Sequence, residues 1–288
     1  MNTPAHSAPG SESDASPEAG SATQQRPGRL FLVPTPLGSE DDPGRVLPPS
    51  TVQALIPLDY LIAENARSAR AVLARLPMNR ALQQIEIREL NLRTPVEHLP
   101  DLLAPILAGR DAGLLSEAGC PAIADPGATL VSLAHQKAIR IVPLIGPSSI
   151  LLALMASGMN GQRFAFAGYV PVPDDERASR LRALEQRSAR EDESQILIET
   201  PYRNQALFDA MVRTLSPTTT LAVASELSLP GENIVARSIA QWRQLAPTLA
   251  RAPTVFVLHA ASSNRPGKTP ERARPRSPNA SRRGRRPG

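Results

Sequence analysis

The residues best suited to chemistry lie in segment 114–127, which reads LLSEAGCPAIADPG. Two carboxylates, Glu117 and Asp125, stand here among Ala, Gly and Pro, directly after an apolar run. Small residues let a ligand approach the backbone closely, and open α/β sheets bind ligands in loops at the carboxyl ends of parallel strands. We therefore predict that this segment is a ligand-binding loop.

Six further segments place turn-forming or polar residues after apolar runs: 31–38 (FLVPTPLG), 61–67 (LIAENAR), 143–149 (PLIGPSS), 164–169 (FAFAGY), 199–203 (ETPYR) and 225–227 (SEL). In the third of these, Ser148 and Ser149 precede an apolar helix, where amides and hydroxyls suit a carboxylate. An ordinary serine N-cap is the alternative. A GxGxxG fingerprint is absent from the sequence, which argues against a Rossmann-type NAD site.

In their order and spacing these motifs resemble the ribosomal RNA small-subunit methyltransferase I family, in the tetrapyrrole methylase superfamily. The resemblance covers about residues 30–260. It implies an α/β fold of two αβα domains with mainly parallel sheets, which hold S-adenosyl-L-methionine in the cleft between them. It also implies a homodimer, and an acceptor that is a cytidine ribose hydroxyl in small-subunit ribosomal RNA or in an assembling ribosomal particle.

The resemblance assigns acceptor handling to four residues: Glu64, Arg67, Glu199 and Arg203. It assigns the donor pocket to nine others: Leu37, Gly38, Ser116, Glu117, Gly119, Cys120, Ser148, Ser149 and Ile198. Methyl transfer is an in-line displacement that requires alignment and exclusion of water. A hydroxyl acceptor must also lose its proton to a base.

Several positions depart from the family pattern, including Glu117 for Asp, Cys120 for Thr, Asn65 for Asp, Tyr202 for His and Ser225 for Arg. Asparagine accepts hydrogen bonds but cannot act as a base near neutral pH. Two alternative functions therefore stay open. One is methylation of a tetrapyrrole or another small molecule, and the other is a non-catalytic protein that binds S-adenosylmethionine or RNA.

Several of these residues also have a purely structural interpretation. Cys120 is typical of a small buried residue, and Asp125 is well placed to cap the next helix. Glu64 is equally an exposed acid at a helix N-terminus. Arg203 could contact a phosphate or pair with Glu199, and the structural alternative here is an ion pair that crosses between the domains.

Composition limits the class of protein. The chain has 288 residues, 41% of them hydrophobic, which is enough for one large or two small cores. One cysteine excludes an internal disulfide, and the four histidines lack metal-ligand spacing. No apolar run approaches the roughly 20 residues that span a bilayer, and the N-terminus lacks a signal pattern. We expect a soluble cytoplasmic protein with no metal and no membrane partner.

Both ends of the chain differ from its middle. Residues 1–29 and 261–288 are rich in Ser, Pro, Gly or Arg and are predicted to be disordered. The net charge is +5, and residues 264–288 contribute +8 from nine Arg or Lys and one Glu, which leaves −3 for the rest. This basic tail is either an RNA tether of salt-sensitive affinity or a solubilising segment.

Strand-like and helical patterns alternate between these ends, which predicts mainly parallel α/β sheets. Strands are predicted over 30–33, 58–63, 112–116, 140–144, 164–170, 195–199, 220–225 and 254–259. Helices are predicted over 94–107, 126–137, 148–157, 174–189, 203–215 and 239–249, with Pro100 and Pro105 bending or breaking the first. A joint at 158–161 would divide the core into domains 30–157 and 162–260.

Overall fold

The computed structural model describes residues 26–245 and 247–261. The predicted disordered ends, apart from residues 26–29 and 261, lie outside this range. Within it, none of the helices has the length and apolar character needed to cross a membrane. The backbone N–H of Gly28 donates to the carbonyl of Ile106, and the first strand begins at Arg29. The ordered core thus starts slightly before the boundary expected at residue 30.

The first half of the chain forms a five-stranded parallel sheet in the order β3-β2-β4-β1-β5. Its strands are β1 (Arg29–Val33), β2 (Tyr60–Ala63), β3 (Glu86–Glu89), β4 (Ala112–Leu115) and β5 (Arg140–Pro143). The helices are α1 (Pro43–Val46), α2 (Pro49–Leu55), α3 (Ala66–Leu73), α4 (Leu99–Leu107), α5 (Gly127–Gln136) and α6 (Ser149–Ser157), with 3₁₀ turns at Leu82–Gln84 and Val96–His98.

The second half forms another five-stranded sheet, in the order β6-β7-β10-β8-β9. Its strands are β6 (Phe164–Gly168), β7 (Ser194–Glu199), β8 (Thr220–Ser225), β9 (Asn233–Ser238) and β10 (Thr254–His259). Its helices are α7 (Asp174–Glu191), α8 (Asn204–Thr214) and α9 (Ile239–Leu245). Only β6 and β7 pair in parallel, and the other three pairings are antiparallel. Parallel pairings still outnumber antiparallel ones over the two sheets together, as predicted.

Alternation along the strands buries both faces of each sheet. In β1, Leu30 joins a cluster with α4 and α5, whereas Phe31 joins a cluster on the other face with α2 and α3. In β10, Phe256 packs against α7, α8 and α9, whereas Val257 packs against α6. Both halves are therefore three-layered αβα units, since successive strand residues point to opposite faces.

Helix α6 belongs by packing to the second half. Its Ala153 and Leu154 are buried against Ile196, Ala222 and Val257 of the second sheet. The chain thus changes from one core to the other before α6, in the loop between Pro143 and Ser149. The glycine-rich segment 158–161 that the sequence marks as a joint lies after this change.

The sequence misses two strands, β3 and β9, and the short helices α1, α2 and α3. Strand β3 carries four charged or half-exposed residues, EIRE, and β9 is an outer strand, so neither shows a strong apolar pattern. The predicted helix over 94–107 begins only at Leu99, and it tolerates Pro100 because the first turn needs no amide donor at that position. Pro105 lies inside α4, two residues before its end.

Candidate active site

A cavity of about 330 Å³ lies between the two halves, within the size range of small-molecule sites. Ten of the thirteen predicted site residues line it: Leu37, Glu64, Ser116, Glu117, Gly119, Cys120, Ser148, Ser149, Ile198 and Glu199. Gly38, Arg67 and Arg203 do not line it. The loops that follow β1, β2, β4 and β5 meet here because the carboxyl ends of parallel strands share one sheet edge.

The loop after β4 is fixed to the loop after β1 by paired backbone hydrogen bonds. The Thr35 N–H donates to the Gly119 carbonyl at 2.9 Å, and the Gly119 N–H donates to the Thr35 carbonyl at 3.1 Å. The Ser116 hydroxyl donates to the same Gly119 carbonyl at 3.0 Å. Gly119 has a φ of +75°, and an added Cβ would lie 3.2 Å from Leu37 Cδ2. Glycine is needed here for its backbone and for its lack of a side chain.

The thiol of Cys120 connects this loop to the loop after β5. Its Sγ donates to the Pro147 carbonyl at 3.4 Å, and burial raises the pKa of the thiol. A thiol with a raised pKa is a weaker nucleophile at neutral pH. Cys120 is thus half-buried in the cavity lining, and its side chain contacts the loop that precedes Ser148.

The N-terminus of α6 opens into the cavity. Ser148 is its N-cap residue, but its hydroxyl makes no capping hydrogen bond to the helix. Ser148 thus occupies the N-cap position that the structural alternative predicts, but its side chain does not cap the helix. First-turn amides without a capping side chain attract an anion, which is compatible with the predicted carboxylate site at Ser148 and Ser149.

Three carboxylates, those of Glu64, Glu117 and Asp125, border the first-half side of the cavity. Burial raises the pKa of Glu64, and the charges of Glu117 and Asp125 raise it further. Burial also raises the pKa of Asp125, against the hydrogen bonds that it accepts from backbone amides. The Ser68 hydroxyl donates to Glu117 Oε1 at 3.2 Å. A carboxylate with a raised pKa takes up a proton more readily than an ordinary one.

Asn65 and Asp125 have structural hydrogen bonds. Asn65 is the N-cap of α3, where its Oδ1 accepts from the Arg67 and Ser68 amides. Asp125 Oδ1 accepts from the Gly127 amide at 2.8 Å at the start of α5, and from the Ala122 amide at 2.9 Å. Asp125 thus accepts from the first amide of α5, but the N-cap position itself is held by Pro126, and the Asp125 side chain also lines the cavity.

Glu199 ends β7 at the second-half side of the cavity. Its buried Oε1 accepts from the Thr200 amide at 2.7 Å and from Arg203 Nη2 at 2.6 Å. Glu199 and Arg203 thus form an ion pair, but the expectation that it crosses between the domains is wrong, because the two residues are four positions apart in the second half. The guanidinium of Arg203 is directed at Glu199 beside the cavity.

The other two predicted residues outside the cavity lining are Arg67 and Gly38. Arg67 is exposed in the first turn of α3. Gly38 packs closely against Leu229, since a Cβ added to Gly38 would lie 2.7 Å from Leu229 Cδ1.

Comparison with known proteins decides the family. No protein-family model matches the chain. This chain is 34% identical over 225 residues to the ribosomal RNA small subunit methyltransferase I of Mesorhizobium japonicum. The aligned residues make up 78% of this chain and 71% of that relative. This chain is 30% identical over 207 residues to the protein of that name from Escherichia coli O157:H7, covering 72% and 68%. The chain belongs to the ribosomal RNA small subunit methyltransferase I family.

Solved structures agree with this family fold. The methyltransferase CobJ matches with a TM-score of 0.55 at 17% identity, over 83% of this chain and 97% of CobJ. Uroporphyrin-III C-methyltransferase from Thermus thermophilus, complexed with S-adenosylhomocysteine, matches with a TM-score of 0.51 at 20% identity, over 81% and 97%. At such identities the likeness shows the fold alone, and it confirms the predicted tetrapyrrole methylase fold.

Three apolar residues of the second sheet form one wall of the cavity, and the sequence analysis predicted only one of them, Ile198. Val255 of β10 pairs in register with Ile198 of β7 on one side and with Ala224 of β8 on the other. All three line the cavity, so adjacent strands give it one apolar surface. The antiparallel pairing of β10 creates this row, and no sequence motif marks Ala224 or Val255.

Backbone strain is concentrated around the same cavity. Among the described residues, six other than glycine have a positive φ. Two of these, Ala124 (64°) and Glu226 (52°), line the cavity, and Ala122 (66°) and Ser228 (70°) lie in the same two loops, two residues from them. Such conformations persist only where surrounding contacts enforce them, and they cluster at ligand sites. One enforcing contact joins the two halves, since the Ser228 hydroxyl donates to the buried Asp41 carboxylate.

Proposed function

We propose that this protein transfers a methyl group from S-adenosyl-L-methionine to the 2′-hydroxyl of a cytidine in small-subunit ribosomal RNA. One observation supports the proposal above the others. Loops from three first-half strands, the N-terminus of α6 and an apolar row of the second sheet face one cavity between the two halves. Membership of the ribosomal RNA methyltransferase family supplies the acceptor class.

The chemistry of the cavity fits the donor. The α6 N-terminus with Ser148 and Ser149 suits the methionine carboxylate. Glu117 and Glu64 place negative charge on the first-half side, which favours a cationic ligand. The apolar row of Ile198, Ala224 and Val255 suits the nucleoside. When bound, the donor supplies an electrophilic methyl group on a sulfonium.

Glu64 is the proposed proton acceptor. It lines the cavity, and burial raises its pKa, so it holds a proton more firmly than an exposed glutamate does. Asn65 cannot fill this role, because its amide has no basic site near neutral pH and its oxygen caps α3. Glu199 is also less suited, since Arg203 already neutralises it. The other residues exclude water and orient the two substrates.

A homodimer is part of the proposal. Leu151 and Met155, one helical turn apart on α6, are 49% and 79% exposed, and Ile145 in the preceding loop is 72% exposed. The adjoining strands β5 and β6 are outer strands of their sheets. An exposed apolar face of this kind is typical of an interface, and a second copy of the chain is the occupant we propose. Light scattering should show a dimer that Met155→Glu converts to a monomer.

Ribosomal RNA as acceptor assigns the reaction to the cytoplasm, where the small subunit is assembled. The basic segment 264–288 is proposed as a tether for this RNA. Its truncation should reduce the slope of RNA affinity against salt concentration. An unchanged slope would leave the segment a solubilising role.

The decisive experiment uses small ribosomal subunits from a strain that lacks this protein. Purified protein and S-adenosyl-L-methionine should add one methyl group to the RNA, which mass analysis locates on a cytidine ribose. Transfer to a tetrapyrrole such as uroporphyrinogen III, with none to the RNA, would favour the small-molecule alternative. Donor binding by calorimetry without transfer to either would favour the non-catalytic alternative.

A further inference from the structure

Two exposed tyrosines stand at the cavity. The chain has three tyrosines, of which Tyr60 is fully buried in the first half. Tyr169 is 54% exposed and lines the cavity, and Tyr202 is 81% exposed and directly follows Pro201, which also lines it. In a chain with 3% aromatic residues, these two rings remain in solvent only where a ligand would enter.

The backbone directs both rings to the same edge. Tyr169 and Tyr202 follow the carboxyl ends of β6 and β7, which are adjacent and parallel. The register shifts between Phe166 and Gly168, and Gly168 has a φ of +67°. A bulge redirects the chain beside an active site. Tyr169 therefore follows a local irregularity at the end of β6 and precedes Val170, which is buried in the core of the second half.

A cation accompanies Tyr202. The guanidinium carbon of Arg251 lies 6.0 Å from the centroid of the Tyr202 ring, and Arg251 is exposed two residues before Pro253 of the cavity wall. Arg203 also adjoins Tyr202, but it is paired with Glu199. Arg251 thus supplies the positive charge at this ring.

We infer that Tyr202, Arg251 and Tyr169 form a stacking platform for an unpaired RNA segment at the entrance to the acceptor side. Aromatic rings stack on splayed-out bases, and an adjacent arginine contacts the phosphate backbone. Bases inside a duplex cannot reach such rings, so the acceptor nucleotide and its neighbour are read in single-stranded form. This inference rests on the proposed RNA methyltransferase function.

The test measures binding of a fluorescein-labelled ten-nucleotide oligocytidylate by anisotropy, with the full-length protein. Tyr202→Ala should weaken binding about tenfold, and Tyr202→Phe should retain it, because the ring carries the stacking. Arg251→Ala should also weaken binding and should reduce the steepness of the log–log salt dependence by about 0.7. Tyr169→Ala should have a smaller effect in the same direction.

Two control variants change residues at the amino ends of strands, away from the carboxyl ends that border the cavity. They are Phe164→Ala at the start of β6 and Arg140→Ala at the start of β5. Both should bind the oligonucleotide as wild type does. Equal binding by Tyr202→Ala and wild type, or no binding by wild type, would overturn the platform. Calorimetry with S-adenosyl-L-methionine and transfer to small subunits are measured in parallel. Their failure in wild type would overturn the proposed function instead.

Discussion

The two sides of the cavity are built in different ways. The first half contributes polar loops that leave the carboxyl edge of a parallel sheet, and hydrogen bonds such as Thr35–Gly119 hold them. The second half contributes strand residues of a mixed sheet, Ile198, Val255 and Ala224, whose register makes an apolar floor. One side is thus suited to recognising charge and moving a proton, and the other to recognising shape.

The largest effect is expected on the polar side at Glu64. Glu64→Gln should lower the rate of methyl transfer about 100-fold or more, because a general base contributes this much. Affinity for S-adenosyl-L-methionine should fall far less than the rate, because Glu117 still places negative charge on that side of the cavity. Single-turnover transfer to small subunits measures the rate, and Glu97→Gln, an exposed acid away from the cavity lining, is the control. Full activity of Glu64→Gln would remove Glu64 from the chemistry.

Glu199 tests whether the second-half edge is chiefly structural. Glu199→Gln should lower the free energy of unfolding by about 1–2 kcal/mol, because a buried acceptor of charged hydrogen bonds is weakened while Arg203 stays partly solvated. Urea unfolding measures the change. Glu191→Gln, which disrupts exposed pairs with Arg163 and Arg190, should cost less. A larger loss of stability in Glu191→Gln than in Glu199→Gln would contradict the structural role of Glu199.

Gly119 tests the strained loop of the first half. Gly119→Ala should weaken donor binding about tenfold, because a left-handed φ costs a side-chain-bearing residue about 1–2 kcal/mol and the new Cβ would meet Leu37. Calorimetry measures the dissociation constant. Gly161→Ala is the control, since nothing lies within 4 Å of its added Cβ. A similar loss in both variants would argue against a specific role for the loop.

The contrast between charge and shape can be measured directly with two ligands. Ile198→Ala should weaken binding of S-adenosyl-L-methionine and of S-adenosylhomocysteine equally, about fivefold, through lost apolar contact. Glu117→Gln should noticeably weaken binding of S-adenosyl-L-methionine alone, because S-adenosylhomocysteine carries no sulfonium charge. If both variants changed the ratio of the two dissociation constants by the same factor, the proposed division of the cavity into a charged side and an apolar side would be contradicted.

The smallest effect concerns stability against pH. Burial and neighbouring carboxylates raise the pKa of Glu64 above its unfolded value, so its contribution to stability is complete at low pH and is lost as pH rises through the folded pKa. Glu64→Gln should therefore be slightly more stable than wild type near neutral pH and no more stable in acid. Thermal unfolding at several pH values measures this. A gain confined to acid would contradict the sign.

Sequence reasoning succeeded where function requires contiguous residues. The loops around Gly119 and Ser148 are short motifs with turn residues after apolar strands, so their meeting at one sheet edge followed from parallel topology. It failed where the signal is spread over distant strands. Strand β9 is a half-exposed outer strand, and without it the antiparallel arrangement of the second sheet is hidden. The change of core before α6 was also missed, because an all-apolar helix does not indicate which sheet it will cover.

The amino-acid sequence by itself determined the family, the αβα layers and many of the residues that line the cavity, because apolar periodicity and tight-turn residues act locally along the chain. Only the tertiary structure decided that Val255 lies between Ile198 and Ala224, and that Arg251 stands beside Tyr202. The first relation depends on strand register, and the second joins two segments of the second half that are distant in the sequence. Such long-range geometry follows from the packing of the whole core.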